Sequence, residues 1–257
     1  MKQSAFIVIL FILALAISIS IYQYGLGNPV NFKDGEGRSV PLNIIGQVYT
    51  GGPLVSLLIA LSIMDFAIII ERSLSLRKAS GKKSVNKFFS SILDKIRSGQ
   101  IDESIQLCEE QRGSVANVIR AALQRYKELV SEHNLVDADK QLAEVQRSIE
   151  EAMMLETPLL EKNLIALSTI ASIATMVGLL GTVLGMIRAF RALAQAGAPD
   201  AIQLATGISE ALVNTAGGLF VAILGIVAYN FFVNKVDNFT YQVDEASYNV
   251  IQLLKTK

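Results

Sequence analysis

Long uninterrupted apolar runs, rather than periodic stripes, dominate the pattern of hydrophobic positions along these 257 residues. A helix needs about 20 apolar residues to cross a hydrocarbon core of roughly 30 Å. Four segments reach or approach that length: residues 4–22, 52–70, 163–187 and 201–234. Only Asp65 in the second run and Glu210 in the fourth interrupt them with a charge. The pattern therefore predicts an all-α integral membrane protein with four transmembrane helices.

The first apolar run fits either a retained helix or a cleaved signal peptide. It follows Met1 and Lys2, it is longer than a typical signal core, and no clean small-x-small cleavage site comes after it. We therefore favour residues 1–24 as a retained transmembrane helix. The stretch 25–48 is rich in Gly, Asn and Pro, which predicts a loop over residues 25–46.

After the second transmembrane helix, predicted over residues 49–71, the apolar spacing becomes that of amphipathic helices. In "FFSSILDKIRSGQIDESIQLCEEQRG" and "SVANVIRAALQRYKEL", apolar residues recur at i, i+3 and i+4. These segments predict short helices that end near Gly99 and Gly113, and then a longer helix from about Ala138. Pro158 would kink or break that longer helix. Residues 72–160 are thus predicted to form a helical domain.

The distribution of Lys and Arg predicts the orientation in the membrane. Six cations follow the second run closely: Arg72, Arg77, Lys78, Lys82, Lys83 and Lys87. Such clusters favour the cytoplasmic side, so we predict that residues 72–160 and both termini are cytoplasmic and that residues 25–48 lie outside. Residues 161–235 would hold two transmembrane helices joined by a turn at 197–200, with Asp200 as a helix N-cap. Residues 236–257 would be a cytoplasmic C-terminal helix.

Composition narrows the classes of function. Net charge is zero and no basic block of the kind found in nucleic-acid-binding proteins is present. Cys108 is the single cysteine, which excludes an intramolecular disulfide and a thiolate metal cluster. The single histidine, His133, lies in polar sequence, where a solvated side chain is the ordinary outcome. No HExxH, GxSxG, Walker or GxGxxG pattern occurs, so we predict no enzyme, no cofactor, no metal and no catalytic residues.

Small residues in the third and fourth runs predict close packing of two helices. In "TMVGLLGTVLGMIRAFRA", Gly181 and Gly185 have the four-residue spacing that lets helix backbones approach closely in lipid. Gly178 lies in a neighbouring row. In the fourth run, Gly217 and Gly218 continue a face of small and polar residues.

That face contains a polar stripe. Thr206, Glu210 and Asn214 follow one another at intervals of four residues, and Thr215 lies on the flank. An acid at a helix centre costs roughly 2.5–3.5 kcal/mol on insertion scales and should face a bundle interior or water. Three interpretations stay open: helix packing with each hydroxyl bonded to a backbone carbonyl, a position near the outer edge of an overlong helix, or the polar lining of an ion-conducting lumen.

Other charged residues in or beside the runs leave similar alternatives open. Asp65 lies 13 residues into its run among apolar neighbours, which predicts an interior partner. Its role would be in ion movement, in an inter-helix hydrogen bond, or at the inner interface. Arg188 and Arg191 flank the third run, where they would snorkel to the interface or pair with Glu210.

The motifs "GLLGTVLGMI" and "GISEALVNTAGGLFVAI", together with "GGPLVSLLIALSIMDFAIIIERSLSL", closely resemble the MotA/TolQ/ExbB proton-channel family, and its ExbB branch most of all. The resemblance extends over residues 50–235. It implies a homopentameric ring around a lumen, in a bacterial inner membrane, with residues 25–48 in the periplasm. The polar lumen residues of the family correspond here to Thr182, Glu210 and Thr215, and we add Asn214 and Asp65 as candidates for the ion pathway.

The resemblance also implies partners and a function. A small single-span protein, ExbD-like, would place its transmembrane helix in the lumen and carry the proton on an aspartate. With a TonB-like partner, the complex would couple proton-motive force to energised transport across the outer membrane. Alternatives are a TolQ-like, gliding or flagellar stator, and a structural membrane scaffold with no ion path.

Three features depart from the family pattern. Thr175 and Leu224 stand at positions where family members often have proline, which predicts straighter helices. The run over residues 4–22 is an additional span that three-span ExbB and TolQ proteins lack. It would form an outer ring or bind a further subunit.

Overall fold

A computed structural model describes residues 3–35, 40–131, 138–194 and 201–255. Within these ranges the α-helices are α1 (Gln3–Ser20), α2 (Ile44–Tyr49), α3 (Pro53–Ala79), α4 (Val85–Arg97), α5 (Ile101–Gln111), α6 (Ser114–Ser131), α7 (Ala138–Glu161), α8 (Leu164–Leu193) and α9 (Ala201–Lys255). A π-helical segment, Ile21–Leu26, and a 3₁₀ turn, Pro29–Asn31, follow α1. The extended pairing in the described ranges is an isolated bridge between Phe32 and Pro41. The predicted all-α class is confirmed.

Four of the described helices are long and apolar enough to cross a membrane. They are α1, α3, α8 and α9, and they correspond to the four predicted runs. α9 is a single helix of 55 residues, about 80 Å at 1.5 Å per residue. The fourth span therefore continues without interruption into the C-terminal helical segment.

The chain divides into two compact units. One comprises Met1–Ile70 and Asn163–Asn230, and the other Glu71–Lys162 and Phe231–Lys257. The first unit exposes large apolar side chains along α8 and α9, among them Leu179, Val183, Leu212 and Phe220. Such surface is ordinary for helices that face hydrocarbon or another transmembrane helix, and rare on a soluble monomer.

The predicted loop over residues 25–46 contains more regular structure than expected. α2 begins at Ile44, inside that range, because Asn43 caps it by accepting a hydrogen bond from the Gly46 amide at 2.8 Å. The segment is also fixed to the end of α1, since the ring of Tyr22 stacks on that of Tyr49 at 4.6 Å between centroids. Asn31 donates from its side chain to the Gly25 carbonyl at 3.1 Å.

In α7, Pro158 does not break the helix, which continues to Glu161. Of the two predicted outcomes at this proline, a kink or a break, the break does not occur. The helix ends instead before Asn163, whose φ of 64° is a left-handed conformation that asparagine tolerates better than most residues. Thr175 and Leu224, the two positions where family members often have proline, also lie within continuous helices. Thr175 donates to the Ala171 carbonyl at 3.0 Å within α8, and Leu224 lies inside α9.

The second unit is a set of amphipathic helices around an apolar core. Gly99 and Gly113 follow α4 and α5 with φ of 78° and 93°, in agreement with the predicted helix ends. Ile92, Ile119 and Val145, from α4, α6 and α7, are fully buried in this core. Val243, from the C-terminal part of α9, lies in the same core.

One of the six cations used to predict orientation is a structural residue. Arg72 is 1% exposed, pairs with Glu71, and donates to the carbonyl oxygens of Leu159 and Leu160 at 3.4 and 3.3 Å. The predictions about His133 and about the turn at 197–200, with Asp200 as N-cap, lie outside the described residues.

Cys108 gives a prediction for the second unit. Its thiol is buried, and burial raises its pKa from 9.0 to about 12, with a smaller opposing effect of Arg120. We expect the folded protein at pH 8 to resist iodoacetamide, because the reactive thiolate is absent. The unfolded chain in dodecyl sulfate should react fully. Because the folded state keeps this proton between pH 9 and 12 and the unfolded chain loses it, stability should fall as pH rises above 9. Rapid stoichiometric labelling of the folded protein at pH 8 would contradict the prediction that Cys108 is unreactive.

Candidate functional site

α8 and α9 lie close together along a seam of small residues. A side chain at Gly178 would lie 3.2 Å from the Gly218 Cα, and one at Gly218 would lie 2.6 Å from the carbonyl oxygen of Ala174. At Gly185, an added Cβ would lie 2.7 Å from the Gly207 carbonyl oxygen. The two backbones are therefore in van der Waals contact, as the four-residue glycine spacing predicts.

The remaining two glycines have different neighbours. A Cβ at Gly181 would collide with the side chain of Asn214 on α9. A Cβ at Gly217 would contact the Leu58 side chain of α3, at 3.2 Å. Gly181 thus makes room for a polar side chain, and Gly217 lies against a second helix.

Glu210 is held in an ion pair inside the first unit. Its side chain is 6% exposed, and both its carboxylate oxygens accept hydrogen bonds from Nη1 of Arg188, whose own side chain is 55% exposed. Arg188 lies on the same face of α8 as Gly181 and Gly185, at a spacing of seven and three residues. Of the two alternatives for this arginine, pairing with Glu210 is the one observed.

The chain before α3 closes over this pair. Gly52, with φ of 76°, lies so close that a Cβ there would be 2.8 Å from the Glu210 Oε1 atom. Asn214 is fully buried and donates from Nδ2 to the Gly51 carbonyl at 2.7 Å and to the Glu210 carbonyl at 3.0 Å. A polar cluster therefore joins α8 and α9 to the two glycines directly before α3.

The threonines do not join this cluster through their hydroxyl groups. Thr182 donates to the Leu179 carbonyl in its own helix at 2.6 Å, and Thr206 donates to Ile202 at 2.8 Å. Thr215 donates to the Ala211 carbonyl at 3.1 Å and lies 3.4 Å from the carbonyl oxygen of Gly178. Glu210 and Asn214 thus point into the unit, whereas Thr182 and Thr215 are half-buried and Thr206 is exposed.

Asp65 lies apart from the cluster and is 1% exposed. Its Oδ2 atom is 3.2 Å from the position that a Cβ of Gly225 would occupy. Gly225 is 15 residues beyond Glu210 on α9, or about 22 Å along the helix axis. Asp65 and Glu210 are therefore separate sites.

Sequence reasoning missed Gly51 and Gly52, whose backbone contacts Asn214 and Glu210 in the polar cluster. Their signal is a "TGGP" turn directly before an apolar run, but which distant residues such a turn contacts depends on the rotation of each helix. Chemically, the cluster can hold the Glu210 carboxylate in its ionised form, and it leaves part of the Arg188 guanidinium exposed to a further anion. The described residues contain no group of three or more His, Cys, Asp or Glu side chains that could hold a metal ion.

Comparison with known proteins assigns this arrangement to a class. Residues 110–245, which include Arg188, Glu210 and Asn214, match the MotA/TolQ/ExbB proton channel family. The chain belongs to this family. With its four apolar helices, it is a multi-pass membrane protein of the proton channel class, and the predicted family membership is confirmed.

Individual relatives carry two different names. The Tol-Pal system protein TolQ of Pseudomonas aeruginosa is 32% identical over 68% of this chain and 74% of its own length. The biopolymer transport protein ExbB of Neisseria meningitidis serogroup A is 27% identical over 78% of this chain and 90% of its own. A putative biopolymer transport protein ExbB homolog of Methanothermobacter thermautotrophicus is 28% identical over 77% of this chain and 67% of its own.

Proposed function

We propose that this chain is the ring-forming subunit of an ExbB-like motor in a bacterial inner membrane. With an ExbD-like single-span partner and a TonB-like partner, it couples proton-motive force to energised transport across the outer membrane. The observation that supports this most directly is the ion pair between the buried Glu210 and the half-exposed Arg188, within the segment that matches a proton channel family. Apolar residues would pack two transmembrane helices at lower cost, so the pair favours a role in ion movement.

The geometry suggests how the pair would act. Glu210 is satisfied from inside the unit, whereas more than half of the Arg188 side chain is exposed. In a homopentamer whose α8 and α9 face the lumen, Arg188 would attract the carboxylate of a partner's aspartate. Thr182 and Thr215 would then line the polar surface that serves this aspartate, and the buried Asn214 would hold Glu210 and the turn at Gly51 in place.

The proposal includes an orientation. The four cations Arg77, Lys78, Lys82 and Lys83 at the end of α3 are exposed, and such clusters favour the cytoplasm. We propose that both termini and the second unit are cytoplasmic, that the α1–α3 connection is periplasmic, and that α1 is retained.

The test is proton flux into vesicles that contain the protein with its single-span partner. In Glu210→Gln we expect flux to fall at least about tenfold, equivalent to about 1.4 kcal/mol, because Arg188 loses the carboxylate that fixes its position beside the lumen. Thr182→Val and Thr215→Val should each reduce flux by a smaller factor. A pH-sensitive dye inside the vesicles measures the rate.

Thr206→Val is the matched control, because Thr206 lies one turn before Glu210 on α9 and bonds its own helix in the same way. It should retain normal flux. Normal flux in the other three variants would exclude the lumen assignment. No flux in any sample, including wild type with its partner, would favour a structural scaffold instead.

A TolQ-like stator is the second candidate, because the Pseudomonas aeruginosa TolQ has a higher identity to this chain than the ExbB relatives described above. Complementation separates the two. Expression with the single-span partner in cells lacking ExbB should restore uptake of an iron chelate, whereas rescue of detergent resistance in cells lacking TolQ would favour the second candidate.

A further inference from the structure

The carboxyl group of Asp65 is enclosed where α3, α8 and α9 meet. The residue is 1% exposed. A Cβ at Gly225 of α9 would lie 3.2 Å from its Oδ2 atom, and 3.1 Å from both the Leu167 carbonyl oxygen and the Ala171 Cβ of α8. The missing side chain of Gly225 therefore lets α9 close over the carboxyl group.

Nothing in the described surroundings satisfies an ionised carboxylate. Neither oxygen of Asp65 has a hydrogen-bond partner among the described residues. No counter-charge lies near it, because α1 and residues 164–187 of α8 contain no ionisable side chain, and residues 211–234 of α9 contain only Tyr229. The cations of α8, Arg188 and Arg191, lie at least 17 residues beyond Ala171, or about 25 Å along the helix axis. On α3 itself, the nearest ionisable groups are the Glu71–Arg72 pair, almost two turns further along, and they bond each other.

The environment discriminates strongly between the two forms of this carboxyl group. A carboxylate without a donor or a counter-ion in an apolar interior bears the full desolvation penalty of a charge. The neutral acid carries no charge to desolvate and can occupy the same space. Glu210 differs in this respect, because Arg188 compensates its charge.

We propose that Asp65 is a proton-binding site inside the α3–α8–α9 bundle, which holds a proton at neutral pH and exchanges it only when α9 separates from α3 at Gly225. The ligand is the proton itself. The inference deepens the proposed function by adding a second protonatable group to a proton channel subunit. It is tested on the carboxyl group directly, so that either proposal can fail without the other.

The experiment is infrared difference spectroscopy of the full chain in lipid, wild type minus Asp65→Asn, at pH 5, 7 and 9. A protonated carboxyl absorbs above the amide I band, whereas a carboxylate absorbs below it. For an exposed aspartate with an ordinary pKa of about 3.9, the carboxylate outnumbers the protonated form by roughly 1,000 to 1 at pH 7. We expect the band of the protonated carboxyl group at pH 7 in wild type and its complete loss in Asp65→Asn. In D₂O this band should shift slowly, because the enclosed proton exchanges slowly with solvent.

Two controls make the result specific. Asp237→Asn removes an exposed acid of α9 and should remove a carboxylate band and leave the protonated band unchanged. Glu210→Gln should also leave the protonated band, whatever it does to proton flux. A carboxylate signal for Asp65 at pH 7 would overturn the proposal, as would a signal that responds to Na⁺ rather than to pH.

Discussion

Replacing Arg188 with methionine is expected to lower the free energy of unfolding in lipid nanodiscs by about 2–3 kcal/mol. Removing one partner of a buried ion pair typically costs about 3–5 kcal/mol, because the other charge stays buried without compensation. The lower figure is appropriate here because the Arg188 side chain is half exposed and solvent already screens it. Methionine keeps the length and apolar stem of the side chain, so that the measured loss reports the charge.

The double variant distinguishes this explanation from lost packing. In Arg188→Met combined with Glu210→Gln, the stranded charge is absent, so most of the stability should return. Unfolding in the same nanodiscs with rising denaturant would provide the four free energies of the double-mutant cycle. Equal destabilisation of the single Arg188 variant and the double variant would mean that the uncompensated charge of Glu210 is not the cause of the lost stability.

Gly185→Ala is expected to destabilise the contact between α8 and α9 by about 3 kcal/mol, at the upper end of the usual cost of overpacking. The added methyl would lie 2.7 Å from both the Ala211 amide nitrogen and the Gly207 carbonyl oxygen. Both are backbone atoms within one continuous helix, so the neighbour cannot relax by changing a rotamer. The two helices must separate instead. Thermal unfolding in nanodiscs measures the effect.

Gly217→Ala is the matched control, because Gly217 lies on α9 and faces α3 rather than α8. Its added methyl would contact only the end of the Leu58 side chain, at 3.2 Å, and this side chain can move. We expect a change below about 1 kcal/mol, since alanine also has the better helix propensity. Similar losses in both glycine variants would show that the α8–α9 seam is not the tight contact.

The four spans could be predicted from sequence because an apolar run of sufficient length has few alternatives in any fold. The glycine contacts between α8 and α9 were predictable for a similar reason, since residues four apart share a helix face. Local chemistry also located the helix ends at Gly99 and Gly113. In all these cases the signal lies within a few residues of the feature it predicts.

The polar cluster was only partly predictable, because it depends on contacts between residues far apart in the chain. Asn214 reaches a carbonyl 163 residues earlier, at Gly51. No spacing rule within one helix predicts that contact. The pairing of Arg188 with Glu210 was one of two alternatives, and the choice depends on the relative rotation of α8 and α9. At Pro158 the local rule left a kink or a break open, and the continuity of α7 to Glu161 excludes the break.

The small residues of the α8–α9 seam have a consequence for entropy. Buried positions on α8 include Ala171, Ala174, Gly178, Gly181 and Gly185. Alanine and glycine have no side-chain rotamers to lose, so the two helices associate at almost no cost in side-chain freedom. The leucine, isoleucine and phenylalanine side chains on the outer faces remain free to move until a neighbour covers them. Any partner of those faces must therefore offset an ordering cost that the seam within the subunit never incurs.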